Sequence, residues 1–154
     1  MSDKYQEWEK GGLVTLDEHS RAKHDVLRTY VERYLEILCR RYGMPSFKIT
    51  LVDGFAGGGL YEGGEAGSPL ILLQAVESAE AKINNFRQKK MTVDAHYYFI
   101  EKGRKTFNTL ERVLKVTFWQ HRNHKCPFLP AQRSLQIGYP CNRQTVLRDV
   151  LLFF

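Results

Sequence analysis

The residues best suited to chemistry form one glycine-rich stretch and one acid that follows it in the chain. The stretch comes after an apolar segment and reads Asp53-Gly54-Phe55-Ala56-Gly57-Gly58-Gly59. A carboxylate at a strand end, followed by a tight glycine turn, lets a ligand approach the backbone near the next helix's amides. A second apolar segment ends in Glu101, whose carboxylate can accept hydrogen bonds from two ribose hydroxyls. The pair indicates a nucleoside-cofactor site; the alternative is a plain loop and a solvated strand end.

The kind of nucleoside follows by elimination. A phosphate-binding P-loop needs a Gly-Lys pair, and this chain contains none. A dinucleotide loop counted from Gly57 and Gly59 needs a third glycine where this chain has Glu62, whose charge would repel a pyrophosphate. A ligand with an amine and a ribose but no phosphate fits better, and S-adenosylmethionine is such a ligand. The aromatic Phe55 within the turn strengthens this prediction.

Hydrophobic periodicity predicts the elements that must position these residues. They are a helix over 18–42, a strand over 47–53, a glycine loop over 54–67, a helix over 69–89, a strand over 95–100 and a helix over 106–115. Thr15 and Glu18 have the spacing of a capping box, and Ser68-Pro69 is typical of a helix start with Ser68 as the N-cap. After about residue 116 the pattern is weak, and only 142–154 predicts a further helix.

Each predicted helix has one apolar stripe that we expect to be buried. In the first helix the stripe contains Val26, Leu27, Tyr30, Val31, Tyr34, Leu35 and Leu38. In the second it contains Leu70, Leu73, Val76, Ala79, Ile83 and Phe86, and in the third Phe107, Leu110, Val113 and Leu114. Cys39 is expected to be a small buried residue. We expect Tyr97, Tyr98 and Phe99 to form sheet core and cover rather than a base-stacking platform.

Strand, glycine loop, helix and strand form a βαβ unit, which predicts an α/β fold. The expected architecture is an incomplete Rossmann-like parallel sheet preceded by an N-terminal helix. Residues 1–17 are predicted to be an irregular arm, 18–116 a Rossmann half-domain, and 117–154 a basic irregular tail.

The composition and the charge of the chain limit the classes of function that it can have. No apolar run is long enough to span a membrane, and the first residues lack a signal-peptide pattern, so a cytoplasmic location is expected. Residues 1–102 carry 14 Lys/Arg against 15 Asp/Glu, whereas 103–154 carry 9 against 2, a net of +7. A basic segment can bind nucleic acid, and the alternative is a solvated tail.

Two smaller groups of residues have alternative interpretations. His121, His124, Cys126 and Cys141 are zinc-ligand types, but their spacing matches no common zinc module, so we predict no metal site. His19, Lys23 and His24 lie close together on the first helix and face either a substrate phosphate, a partner or solvent.

Three stretches together resemble the three-Cys-motif partner protein family. They are His19-Ser20-Arg21-Ala22-Lys23-His24-Asp25-Val26-Leu27-Arg28-x-Tyr30, then Val52-Asp53-Gly54-Phe55-Ala56-Gly57-Gly58-Gly59-x-Tyr61, then Gly63-Gly64-x-x-Gly67-Ser68-Pro69-Leu70. Their order matches that family, which is itself similar to class I S-adenosylmethionine-dependent methyltransferases. The resemblance covers roughly residues 8–115.

The resemblance implies a set of site residues and a partner. It implies that Asp53, Gly57 and Gly59 belong to the cofactor loop and that Glu101 is the ribose-binding acid. It also implies methyl transfer to an unknown acceptor, with nucleic acid as one candidate. The implied partner is a separate three-cysteine-motif protein similar to radical S-adenosylmethionine enzymes. The alternative is a non-catalytic partner subunit that uses the scaffold for protein contacts.

The chain departs from that pattern in its last third. Only two clear strands are predicted, and the Asn/Asp-Pro-Pro-Tyr-type loop of amino-methyltransferases is absent. Pro140-Cys141 follows no recognisable strand, so Cys141 is not a predicted nucleophile. No catalytic residue is assigned, and the loss of pattern leads to the hypothesis of a truncated or frame-shifted product.

Overall fold

The computed structural model of this chain describes residues 12–41, 43–121, 129–131, 134–138 and 150–153. The helices are α1 (Glu18–Leu38), α2 (Ser68–Asn85) and α3 (Arg104–His121), with a short 3-10 turn at Glu62–Gly64. The strands are β1 (Ser46–Asp53), β2 (Thr92–Ile100), β3 (Leu129–Ala131), β4 (Ser134–Gly138) and β5 (Val150–Phe153). The predictions for the arm at 1–11, for His124, for Cys126 and for Cys141 concern residues outside the described ranges.

The five strands form one sheet in the order β3-β4-β2-β1-β5. β1 is parallel to both β2 and β5, whereas β4 is antiparallel to β2 and β3 is antiparallel to β4. The α/β class and the N-terminal helix are therefore confirmed, and the parallel strands are consistent with an incomplete Rossmann-like sheet. The sheet is mixed rather than wholly parallel. Within the described part of the chain, no helix is long and apolar enough to cross a membrane.

The core lies between the parallel strands and the helices that pack on them. Tyr97 and Phe99 of β2 are buried in it, as expected, together with Ile49 and Leu51 of β1. Of the residues predicted to face inward from helices, those found buried are Val31, Leu35, Leu70, Leu73, Val76, Ala79, Leu110 and Leu114. Burial alternates along β2, so Val93, Ala95, Tyr97 and Phe99 face this core whereas Asp94, His96 and Tyr98 on the other face are only half-buried.

The first helix differs from its prediction at both ends. Its N-cap is Asp17, whose carboxylate accepts a hydrogen bond from the Ser20 amide at 2.6 Å, so the capping box predicted from Thr15 is wrong. The helix ends at Leu38, four residues earlier than predicted. Its buried stripe is also narrower, since Val26 is 68% exposed and Tyr30 is exposed as well.

The second helix also begins and ends differently from its prediction. Gly67 is the N-cap, and Ser68 is the first helical residue, so the predicted capping role of Ser68 is wrong. The helix ends at Asn85, and Phe86 follows it as the C-cap residue. Phe86 is 82% exposed instead of buried because it lies past the last helical turn.

Regular structure extends into the segment predicted to be irregular. The third helix continues to His121, and three short strands follow. The helix predicted over 142–154 is wrong at Val150–Phe153, which pair with β1 as a strand. A short apolar run such as Val-Leu-Leu-Phe suits a buried parallel strand as well as a helix, and periodicity alone does not separate the two. The three-part division of the chain stays a prediction.

One buried cation connects the ends of α1 and α2. The guanidinium of Arg87 donates hydrogen bonds to the carbonyls of Cys39 at 2.5 Å, Arg41 at 2.5 Å and Met44 at 3.0 Å. These carbonyls belong to the connection between α1 and β1, where no helix or strand provides them with donors. Arg87 therefore holds that connection against the end of α2.

Arg87→Ala should lower the free energy of unfolding by about 3 kcal/mol, because hydrogen bonds from a charged group contribute about 1.5–3 kcal/mol each and the buried Cys39 carbonyl loses this donor. The measurement is urea unfolding followed by circular dichroism. The matched control is Arg33→Ala, at an exposed residue of α1, which should change stability by less than about 0.5 kcal/mol. Equal stabilities for the two variants would contradict the assigned role.

Candidate functional site

The parallel pairing of β1 and β2 brings the two candidate acids to one edge of the sheet. In the register, Asp53 lies opposite Phe99, and Glu101 comes directly after the last residue of β2. Both carboxylates are therefore at the carboxyl ends of adjacent parallel strands, as the sequence predicted. Each residue is only 3% exposed, so both are buried beneath the glycine loop rather than open to solvent.

Asp53 connects the glycine turn to the start of α2. One carboxylate oxygen, Oδ1, accepts a hydrogen bond from the Phe55 amide at 3.0 Å, and Oδ2 accepts one from the Ser68 hydroxyl at 2.6 Å. Burial raises the pKa of Asp53 above its usual value, and the neighbouring charge of Glu101 acts in the same direction. The two hydrogen bonds oppose this rise because they stabilise the ionised form.

Glu101 connects the turn after β1 to the turn after β2. Its Oε2 atom accepts a hydrogen bond from the Gly57 amide at 3.1 Å, and its Oε1 atom accepts one from the Gly103 amide at 2.7 Å. Each carboxylate oxygen has a second lone pair, but both atoms belong to a buried side chain. A ribose would reach Glu101 only after Gly57 moves away from it.

The glycine loop folds back on itself and packs against α3. The Ala56 amide donates to the Ile100 carbonyl at 3.1 Å, and the Gly67 amide donates to the Gly59 carbonyl at 2.9 Å. Gly59 has a φ of +79°, and a Cβ on it would lie 2.8 Å from the Leu110 side chain. Glycine is therefore required at this position by both backbone conformation and space.

Phe55 differs from the other residues of the turn because its side chain points outward. Ala56, Gly57, Gly58 and Gly59 are buried. Phe55 is 81% exposed, between the buried Asp53 and the buried turn. Its ring is held at the surface by the turn, where it is free to contact a ligand or a partner.

The far side of the loop is held by contacts with α1 and the residues before it. The guanidinium of Arg21 binds both carboxylate oxygens of Glu65, at 2.8 Å and 3.0 Å. The Thr15 hydroxyl donates to Glu62 at 2.6 Å, and the Glu62 amide donates to the Val14 carbonyl at 3.0 Å. Thr15 and Glu62, which sequence reasoning placed in other roles, thus fix the loop.

Of the three candidate residues on α1, His24 is the one that contacts the loop. Its ring centroid lies 5.8 Å from that of Tyr61, whereas His19 and Lys23 are exposed. Its Nδ1 atom is buried and has no hydrogen-bond partner among the described residues. Burial lowers the pKa of His24, against the opposing charges of Asp25 and Asp53, so the imidazole is neutral at neutral pH.

A cavity of about 320 Å³ lies away from the glycine loop, at the carboxyl ends of α1 and α2. Its lining residues are Glu36, Cys39, Arg40, Lys82, Ile83, Phe86 and Arg87. Cys39 is buried, as predicted, and burial raises the pKa of its thiol to about 11, so it stays protonated. Lys82 is already paired with Glu32 at 2.5 Å.

The described residues contain no group of three or more His, Cys, Asp or Glu side chains that could hold a metal ion.

Comparisons with known protein families, curated proteins and solved structures found no match to this chain.

Gly59→Ala should lower the free energy of unfolding by about 2–4 kcal/mol, because a left-handed alanine costs about 1 kcal/mol and the methyl group overlaps buried Leu110. Gly63→Ala is the matched control, since Gly63 has the same φ of +79° but nothing within 4 Å of its Cβ position. It should cost only about 1 kcal/mol. Urea unfolding of both variants tests the difference, and equal losses would contradict the close approach to α3.

Asp53→Asn should gain stability relative to the natural chain as pH rises from about 4 to about 7. The raised pKa of Asp53 means that its contribution is full below the unfolded-state pKa and is lost as pH rises through the folded-state pKa. Asparagine does not ionise, and it can still accept from the Phe55 amide. Urea unfolding at both pH values gives the difference, with the exposed Asp25→Asn as control. If the stability of Asp53→Asn relative to the natural chain instead falls between about pH 4 and about pH 7, the effect of burial is contradicted.

Proposed function

We propose that this chain is a methyltransferase-like protein of the three-Cys-motif partner type that binds S-adenosylmethionine at the glycine loop. The observation that carries the proposal is the meeting of two carboxylates and a glycine turn at the carboxyl edge of adjacent parallel strands. Ligands of open α/β sheets bind at that edge. The resemblance of three separate stretches to the family supports the same proposal.

The hydrogen-bonding groups of the site fit a ligand that carries an amine and a ribose. Asp53 and Glu101 offer carboxylate oxygens that accept hydrogen bonds from hydroxyl and ammonium groups and repel phosphate. The glycines at 57–59 have no side chains to exclude a ligand from the backbone. The exposed ring of Phe55 provides an apolar surface for the ligand's adenine ring.

Binding would require a change in the loop. The hydrogen bond from the Gly57 amide to Glu101 would be replaced by one from a ribose hydroxyl, so the loop would open on binding. When bound, S-adenosylmethionine would supply a methyl group on a sulfonium, and these residues would orient it. The proposal includes a three-cysteine-motif protein as partner and a cytoplasmic location, and it assigns no catalytic base.

A second proposal, a non-catalytic partner subunit, is favoured by one observation. Each carboxylate already accepts two hydrogen bonds from this chain, and each is 3% exposed. A protein that kept the scaffold for protein contacts would use its acids in this way, to hold the loop closed.

Calorimetric titration with S-adenosylhomocysteine separates the two proposals. The cofactor proposal expects a Kd below about 100 μM, near −5.5 kcal/mol. Asp53→Asn should weaken binding at least about tenfold, or about 1.4 kcal/mol, because it removes a charge that attracts the ligand's amine.

Glu111→Gln is the matched control, because Glu111 lies on α3 and its charge pairs with Lys115 outside the loop. This variant should bind as the natural chain does. No heat of binding in a chain that unfolds cooperatively would reject the cofactor proposal and favour the partner subunit.

A further inference from the structure

The third helix carries a basic surface that neither proposal explains. Its exposed basic residues are Arg104, Lys105, Arg112 and Lys115, and the exposed Lys102 lies just before the helix. Leu110 and Leu114 are buried on the opposite side. The basic residues of the helix therefore lie on one face, because residues three, four, seven and eight positions apart share a side of a helix.

This basic face is specific to α3 among the described helices. Residues 18–38 of α1 contain four Lys/Arg and four Asp/Glu, and residues 68–85 of α2 contain one Lys and two Glu. Residues 104–117 of α3 contain four Lys/Arg and one acid, Glu111, which pairs with Lys115 at 2.8 Å. Within the described residues, no acid lies within ion-pair distance of Arg104, Lys105 or Arg112.

The position of the charges on the helix adds a second reason to expect an anion. Arg104 and Lys105 lie in the first turn of α3, which contains no acid. The amino end of a helix carries the positive end of its dipole, so cations there repel it and cost a few tenths of a kcal/mol each. A bound anion would offset this repulsion.

The glycine turn packs on the other side of α3, where Gly59 approaches Leu110, and only the amino end of the basic face comes near the turn. Lys102 directly follows Glu101, which accepts a hydrogen bond from Gly57, two residues after Phe55. Phe55 is therefore near the amino end of the row of cations, and an exposed aromatic ring with nearby cations is the combination that binds single-stranded nucleic acid, by base stacking and by backbone neutralisation. From Arg104 to Lys115 the helix rises about 16 Å, comparable to about five nucleotides of a strand.

We propose that the α3 face of Lys102, Arg104, Lys105, Arg112 and Lys115 binds the backbone of a single-stranded nucleic acid, with Phe55 stacking on a base. Binding at this surface does not require the cofactor. Its further meaning, that nucleic acid is the methyl acceptor, rests on the proposed function.

Fluorescence anisotropy with labelled single-stranded DNA and RNA of about 20 nucleotides tests this, without cofactor and over a range of salt concentrations. Lys105→Ala/Arg112→Ala should weaken binding at least about tenfold at low salt and reduce the slope of log K against log salt by about 1.4. Phe55→Ala should weaken it about tenfold as well, with little change in that slope. A preference for RNA over DNA would indicate contacts with the 2′-hydroxyl.

Arg33→Ala/Arg40→Ala is the control, because it removes the same charge from exposed positions of the first helix and its C-terminal turn. It should change affinity by less than about twofold. Equal losses in both double variants, or none in either, would overturn the assignment to α3. Binding to phosphatidylserine vesicles without binding to either oligonucleotide would overturn it in favour of a lipid surface. Because no cofactor is present, failure here is distinct from failure of the S-adenosylhomocysteine titration.

Discussion

The buried carboxylate of Glu101 holds together the two turns from which the candidate site is made. Parallel pairing brings the ends of β1 and β2 close, but it leaves the amides of Gly57 and Gly103 without strand partners. Burying such amides unpaired would cost about 1–3 kcal/mol each, and one carboxylate binds both. Asp53 does the same for the glycine turn and the start of α2. The loop structure therefore depends on the two side chains that the proposed cofactor would need, so such a ligand would have to compete with the fold for them.

The elements around the site could be predicted closely from the sequence. β1 begins one residue earlier than expected and ends at Asp53 as expected, and both acids lie at the edge where the glycine turn begins. These elements are local: an apolar strand, a cluster of glycines and an amphipathic helix each leave a pattern within a short window. The predicted stripe of α2 is buried down to Ala79, and Ile71, Leu72 and Ala75 are buried as well, because α2 packs against both α1 and the sheet.

What could not be predicted depends on partners distant in the sequence. Whether Glu101 faces a ligand or the backbone depends on Gly57, which is 44 residues away in the sequence. The carbonyl of Cys39, to which Arg87 donates a hydrogen bond, is 48 residues away from it. The true N-cap, Asp17, was missed because Thr15 has an equally good local pattern but bonds to Glu62 in the loop. The basic face of α3 was missed because the helix was predicted to begin at residue 106, which left Arg104 and Lys105 outside it.

The pairing of β5 with β1 also determines how this sheet assembles. In that ladder Ile49 lies opposite Val150, so β1 acquires its second neighbour only from residues about a hundred positions later in the chain. Closing so long a loop is entropically costly, and such contacts slow folding. On a ribosome, β1 and β2 would emerge and pair first, with one row of β1 amides and carbonyls still unpaired. The nascent chain would then carry an unpaired strand edge while its last third is synthesised, and such an edge favours aggregation until β5 pairs with it.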